Sequence, residues 1–268
     1  MGANPVSARF TWPGGHRAAI CFSFDVDGPY GEANYQPADA IYAISQTEYE
    51  PFGVERILGI LEDFDIRATF CWVGQEAADR PWLVRRAADA GHEIALHSWD
   101  HRYYTGMSTD DQAEDMHRTS AQLADLIGTV PVGHKTAGWR YTAETHQICQ
   151  EMGLTWVMDI PRGDLPTLLT PNPDLPPIVN LPPAAAWDDY TFFVDKMMTP
   201  SGAYEFWHDD LDVIRTEGGL MSLTMHPFVS GRPAPSRALV RLLDYAVDLG
   251  DVWIATAAEI AAWRLQST

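Results

Sequence analysis

Basic side chains are scarce in this chain. Lys and Arg number 18 against 37 Asp and Glu, a formal net charge of −19 over 268 residues. Nucleic-acid recognition needs clustered cations to face phosphates, so no nucleic-acid partner is expected. Long apolar runs are missing as well. None reaches the ~18 residues of a membrane-spanning helix, and no membrane association is expected. Cysteine is sparse: Cys21, Cys71 and Cys149 are odd in number and follow no zinc-binding spacing. That excludes a disulfide framework and fits a reducing compartment. Cys21 and Cys71 lie inside apolar runs and read as small buried hydrophobes. The first residues, Met1 to Trp12, offer neither the basic nor the apolar segment of a secretory leader. The setting expected is the cytoplasm. Repeats and low-complexity tracts are absent.

What is present is an ordinary globular composition, 46% hydrophobic and 21% charged. Such a length can bury a sizeable core without covalent staples, and one domain over residues 1–268 is expected. Short apolar runs alternate with helical patterns. Strands are expected at Ala18–Asp27, Arg67–Val73, Glu93–Ser98, Val132–Arg140, Thr155–Asp159, Ile178–Leu181, Leu220–Met225 and Val252–Thr256. Between them, helices are expected at Gly53–Asp65, Glu76–Ala90, Thr109–Ile127, Ala143–Met152, Ala203–Thr216 and Ser236–Leu249, with Ala257–Arg264 last. Alternation of this kind means an α/β fold with a mainly parallel sheet, closed or nearly closed into a barrel. Two stretches break the rhythm: Gly28–Pro51, aromatic and acidic, and the Pro-rich Pro161–Trp187. Both follow strands and are expected above the site face, where they would enclose a pocket.

Four groups of residues could carry chemistry. Asp25-Val26-Asp27-Gly28 closes the first strand, and residues two apart on a strand share a face. A strand-end Asp that merely caps a turn is the plain alternative. His97-Ser98-Trp99-Asp100-His101 closes the third strand. It is no helical zincin motif, because Ser98 stands where that motif has its Glu. Two imidazoles with one carboxylate would nevertheless leave open positions on a catalytic metal. His226 ends a late strand and suits a general acid. Arg140, in Gly138-Trp139-Arg140-Tyr141, could pair with a site carboxylate. Read singly, the histidines could also be satisfied core residues and Arg140 a surface residue.

Taken in order, Asp25-x-Asp27, Gly91-His92-Glu93-Ile94-Ala95-Leu96-His97-Ser98-x-x-His101, Gly-Trp-Arg140 and Thr-Met-His226 resemble the polysaccharide deacetylase (NodB-like) superfamily over residues 18 to 260. The resemblance implies a distorted (β/α) barrel of about seven parallel strands. It implies Asp25 as general base, Asp27, His97 and His101 as ligands of one divalent metal ion, Arg140 as the holder of the base and His226 as the acid. Zinc is the first expectation for the ion, though such ligands also admit cobalt, iron or nickel. Gly28, Glu32, Trp99 and Tyr141 are expected to touch substrate.

The chain departs from the common pattern. Val26 separates aspartates that are usually adjacent, and Arg140 is followed by Tyr141-Thr142-Ala143 rather than by Pro and an aromatic. With Gly202-Ala203-Tyr204-Glu205-Phe206-Trp207 and His226-Pro227-x-x-x-Gly231-Arg232-Pro233, the sequence looks like the cyclic imidase, allantoinase-type and atypical peptidoglycan deacetylase group. That resemblance implies a metal-dependent hydrolase of a small linear or cyclic amide or imide, assembled as a homo-oligomer, in many relatives a tetramer. An N-acetyl sugar, chitin-oligosaccharide or peptidoglycan deacetylase is the alternative. A silent barrel that only binds a ligand is the rival from another class.

Overall fold

The computed structural model describes residues 11–35 and 41–267. The leader reading on Met1 to Trp12 therefore lies almost wholly outside the described residues, as do positions 36–40 of the first long loop. Nine strands form one sheet: β1 (Ala18–Val26), β2 (Thr69–Trp72), β3 (Glu93–Leu96), β4 (Gly133–His134), β5 (Trp156–Val157), β6 (Thr167–Leu169), β7 (Ile178–Asn180), β8 (Leu220–Met225) and β9 (Val252–Ile254). Their order is β6-β7-β5-β4-β3-β2-β1-β8, with β9 also on β1. All pairs are parallel except β6 with β7. Val26 pairs with Trp72 on β2, and Ile20 pairs with Ile254 on β9. Ile20 also pairs with Met221 on β8. Strands β2 and β9 thus share one side of β1, one above the other, with β8 on the opposite side. This is the expected distorted barrel, left open between the edge strands β6 and β8. A single parallel bridge, Asp188 to Thr224, spans the gap.

Strand β1 shows why the chain curls this way. All nine of its residues are buried, as a strand covered on both faces requires. Period-two alternation divides them. Ala18, Ile20, Phe22, Phe24 and Val26 face the outer helices, in one core with Phe70, Trp72, Leu96 and Leu223. Ala19 and Cys21 face inward, with Cys71, Ala95, Trp156, Met158 and Val179. Small residues on β1 to β3 leave room inside for Trp156 and Met158. Gly133 makes the same allowance, since a Cβ there would run into the Trp156 ring. The cysteines are free and buried.

Several boundaries differ from the sequence reading. The expected helix Glu76–Ala90 is two helices, Gly74–Asp79 and Pro81–Asp89. Pro81 forces Arg80 out of helical geometry, to φ −130 and ψ 59. The expected strand Val132–Arg140 keeps only Gly133–His134, because Gly138 and Trp139 both take φ 54 in a tight 3-10 turn. The Gly28–Pro51 stretch is largely helical, with Tyr30–Tyr35 and Ile41–Gln46, and the next helix starts at Glu50 rather than Gly53. Strand β6 falls inside the Pro-rich stretch expected over the site. That stretch turns the other way: Leu220, at the start of β8, donates to the Asp164 carbonyl at 2.7 Å, at the end opposite the site. Among the described residues no helix is long and apolar enough to cross a membrane.

Candidate active site at the carboxyl ends of the strands

The parity of β1 that sends Ala19 and Cys21 inward carries on to Ser23 and Asp25, and then to Asp27 just past the strand. Both aspartates are almost fully buried. Gly28 follows at φ 57 and backs directly on the Glu76 carboxylate, so no side chain fits there. The chain then turns into the helix Tyr30–Tyr35, whose Gly31 and Glu32 form one wall of a cavity of about 300 Å³.

His97 and His101 reach the same cavity from the end of β3. Ser98 and His101 both adopt φ 61, a left-handed backbone unusual for such residues, and the His101 N–H donates to Ser98 Oγ at 3.0 Å. This bend brings both imidazoles to one carboxylate: Asp27 Oδ1 lies 3.5 Å from His97 Nε2, and Asp27 Oδ2 lies 3.5 Å from His101 Nε2. Burial brings His101 down to about 4 despite the opposing pull of Asp27, so the ring is neutral at physiological pH.

Three observations fit these residues to a metal. Ligand atoms about 2.1 Å from a tetrahedral ion stand about 3.4 Å apart, close to the spacings seen. Asp27 Oδ1 is buried with no hydrogen-bond donor among the described residues. His97 Nδ1 lies 2.8 Å from the Lys135 carbonyl, which can only accept. The ring hydrogen is therefore on Nδ1, and the Nε2 lone pair faces Asp27.

Asp25 has a different partner. The ammonium of Lys135, one of two lysines in the chain, lies 2.8 Å from Asp25 Oδ2 and 3.0 Å from Oδ1. It also donates to Thr224 Oγ1 at 2.8 Å and to Ser23 Oγ at 3.3 Å, so each of its three hydrogens has an acceptor. Burial pushes the Asp25 carboxyl up, but Lys135, His97 and His226 outweigh it and hold the group down at about 2. Asp25 is thus a carboxylate over the whole working range.

His226 follows β8. Its Nδ1 lies 2.7 Å from Asp189 Oδ1, while Asp189 Oδ2 accepts the His226 backbone N–H at 2.9 Å and the Ser230 hydroxyl. Nε2 is left on the cavity side, 3.8 Å from Asp27 Oδ2. Burial lowers this imidazole's pKa, yet Asp189, Asp27 and Asp188 overcome that and hold it well above the ordinary histidine value. The structure therefore brings a protonated His226 and an Asp27–His97–His101 group to one cavity, with Asp25 just behind its lining, 3.8 Å from His97 Nε2. That set can take a proton, give a proton and hold a Lewis acid.

Three expected site residues are elsewhere. Arg140 is exposed, its guanidinium 5.6 Å from the Tyr103 ring centre. The 3-10 turn at 137–139 carries it away from Asp25, and Lys135 occupies the place foreseen for it. Trp99 turns its ring under Arg118, 3.6 Å from the guanidinium carbon, while its backbone N–H donates to Asp115. Tyr141 packs on His146, ring centres 4.8 Å apart. Neither Trp99 nor Tyr141 lines the cavity, whereas Gly28 and Glu32 do. Arg140→Ala is accordingly expected to change kcat/KM by no more than about fivefold, the worth of an exposed cation–π contact. A loss of a hundredfold or more in steady-state kinetics would restore Arg140 to the base.

Sequence reasoning passed over Lys135, Asp188, Asp189 and Tyr190. The lysine follows a two-residue strand whose extent was overdrawn. The Asp-Asp-Tyr run stands just past the Pro-rich stretch, and a pair of adjacent acids on the fold's site side was its available signal.

Comparison with known proteins agrees with this fold. A family model described as polysaccharide deacetylase matches residues 28–157. A Mycobacterium smegmatis protein provisionally described as a polysaccharide deacetylase superposes with a TM-score of 0.90 at 33% identity, over 97% of this chain and 95% of that one. Puue allantoinase superposes with a TM-score of 0.87 at 27% identity, over 97% and 94%. The peptidoglycan-N-acetylglucosamine deacetylase PgdA of Listeria monocytogenes is 30% identical over 106 residues, which is 38% of this chain and 22% of the Listeria protein. The chain thus matches about a fifth of the length of that relative.

Proposed function

We propose that this chain, which belongs to the polysaccharide deacetylase family, hydrolyses the C–N bond of a small linear or cyclic amide with the help of one divalent metal ion. The observation that carries the reading is the convergence of His226 and the Asp27–His97–His101 group on one cavity of about 300 Å³, the size of a small-ligand site, with Asp25 packed behind them 3.8 Å from His97 Nε2. A divalent ion held by Asp27, His97 and His101, zinc in the first instance, supplies Lewis acidity. Asp25, kept ionised by Lys135, takes one proton from the attacking water as the water oxygen bonds to the carbonyl carbon. His226, oriented by Asp189, gives its Nε2 proton to the leaving nitrogen as the C–N bond breaks. Exchange with solvent resets both groups, so one water is consumed per bond and a carboxylate and an amine are released.

The cavity walls support a small substrate over a polymer. Glu32 and Tyr190 join across the cavity, the Tyr190 hydroxyl donating to Glu32 Oε1 at 2.7 Å, with Phe228 and Tyr103 also on the lining. A glycan deacetylase is the second reading, favoured by the match to the Listeria protein. A substrate panel on metal-loaded protein separates the two. Small acetamides and cyclic imides such as succinimide and hydantoin are expected to turn over, and chito-oligosaccharides to turn over at least about tenfold more slowly in kcat/KM, one step of the affinity scale. Turnover of the oligosaccharides alone would sink the small-amide reading and leave the deacetylase one.

A further inference from the structure

The cavity carries a charge pattern that the hydrolytic step leaves unused. Each cation beside the reacting groups already has a close anion: Lys135 has Asp25 and His226 has Asp189. Glu32 and Asp188 also line the cavity, and Tyr190 ties them together. Its hydroxyl donates to Glu32 Oε1 at 2.7 Å and its backbone N–H donates to Asp188 Oδ1 at 2.9 Å. Asp188 has His226 Nδ1 only at 3.8 Å, and that hydrogen goes to Asp189 at 2.7 Å. Glu32 has no cation bonded to it among the described residues. The described lining residues include no Lys or Arg, and Arg140, over the Tyr103 ring, is not one of them. Three further lining residues are aromatic: Tyr103, Tyr190 and Phe228, the last two packed edge-to-face at 6.3 Å.

Taking the hydrolytic reading as given, we infer that the pocket selects amides that carry an ammonium group at the end remote from the scissile bond and discriminates against those that carry a carboxylate there. Glu32, with no cation bonded to it among the described residues, and Asp188, whose nearest cation at 3.8 Å gives its hydrogen to Asp189, stand among aromatic faces and attract a cation by charge and by ring quadrupole. An anion entering the same space would lose its hydration and meet like charge. Burial raises Asp188 to about 6, so its charge is present at neutral pH and above. The substrate class is then an acylated diamine or a similar amino-amide. Glu32 is the specificity-determining residue, and it stands apart from the base, the acid and the metal ligands.

The test is a matched series with one acetamide and three tails: N-acetyl-1,4-diaminobutane, N-butylacetamide and 4-acetamidobutanoate, each given to the metal-loaded protein at pH 8. The expected order of kcat/KM is ammonium over neutral by about tenfold and neutral over carboxylate by about tenfold, the scale of one charge pair in a partly buried site. Glu32→Gln is expected to shrink the ammonium-to-neutral ratio by about tenfold, a ratio that folding yield does not affect. Equal values across the series, a preference for the carboxylate, or a ratio unmoved by Glu32→Gln overturns the inference while hydrolysis itself stands. If none of the three is hydrolysed, the hydrolytic reading fails, and calorimetric titration of the same compounds decides the charge preference by itself. Tighter binding of the ammonium amide then upholds it, and equal or reversed affinities end it.

Discussion

Asp25→Asn is expected to lower kcat by about 10²–10⁴-fold, the usual loss for a general base, with the metal content unchanged at about one ion per chain. The amide keeps the shape of the side chain, but it cannot take the proton of water. Asp27→Asn and His97→Ala are expected to do the opposite first: to lose the metal, and with it the activity. The assignment follows from spacing. Asp27 offers one oxygen to each imidazole at 3.5 Å, whereas Asp25 has both oxygens within 3.0 Å of Lys135. Elemental analysis alongside kinetics checks it. Loss of metal from Asp25→Asn with retention in Asp27→Asn would reverse the two roles, and full activity in metal-free wild-type protein would remove the ion from the reaction.

Lys135→Met is expected to damage both stability and turnover. The lysine and Asp25 are buried together, and removing one member leaves an uncompensated carboxylate in the interior. Breaking such a pair costs about 3–5 kcal/mol, a fall of roughly 10 °C in Tm for a domain of this size. The pH profile moves as well. Lys135 is the strongest of the influences that hold Asp25 down against burial. Without it, burial raises the carboxyl, so the base is protonated over more of the range and the acidic limb of kcat/KM shifts to higher pH. The double variant Lys135→Met/Asp25→Asn is expected to be more stable than Lys135→Met alone, because a neutral amide replaces the stranded charge. Thermal denaturation of the single and double variants measures this. Equal stability in the two would mean that the ion pair is not what the lysine provides.

Much of the fold could be read from the sequence for one physical reason. Strands covered on both faces, such as Ala18–Val26 and Leu220–Met225, are mostly apolar runs, and they stand out between helical patterns. Strand β6 did not, because three half-buried residues among prolines carry no periodic signal. The helices Tyr30–Tyr35 and Ile41–Gln46 were equally silent, being six residues each. The site followed the same division. Asp25, Asp27, His97, His101 and His226 could be named because each sits at or just past the end of a legible strand. Arg140 was misplaced because the strand before it stops at His134, and a turn with two left-handed residues intervenes. Lys135 and the Asp188–Tyr190 segment act through partners distant in the chain, Asp25 and His226. No local pattern reports such pairings.

The open seam between β6 and β8 bears on how the substrate range of the proposed activity could be altered. One short segment across that seam supplies the residue that orients the acid, Asp189, and two wall residues, Asp188 and Tyr190. It is fixed to β8 by one bridge rather than a ladder. An insertion there changes recognition and proton transfer at one stroke, so most such variants lose turnover before they gain a new preference. The opposite wall is built differently. Gly31 and Glu32 on the Tyr30–Tyr35 helix line the cavity, and among the described residues that helix holds no ligand, base or acid. A mutational library on that helix that leaves Gly31 alone, where a Cβ would stand 3.3 Å from Asp27 Oδ2, searches substrate space with the chemistry held constant, and it is the place to begin redesign.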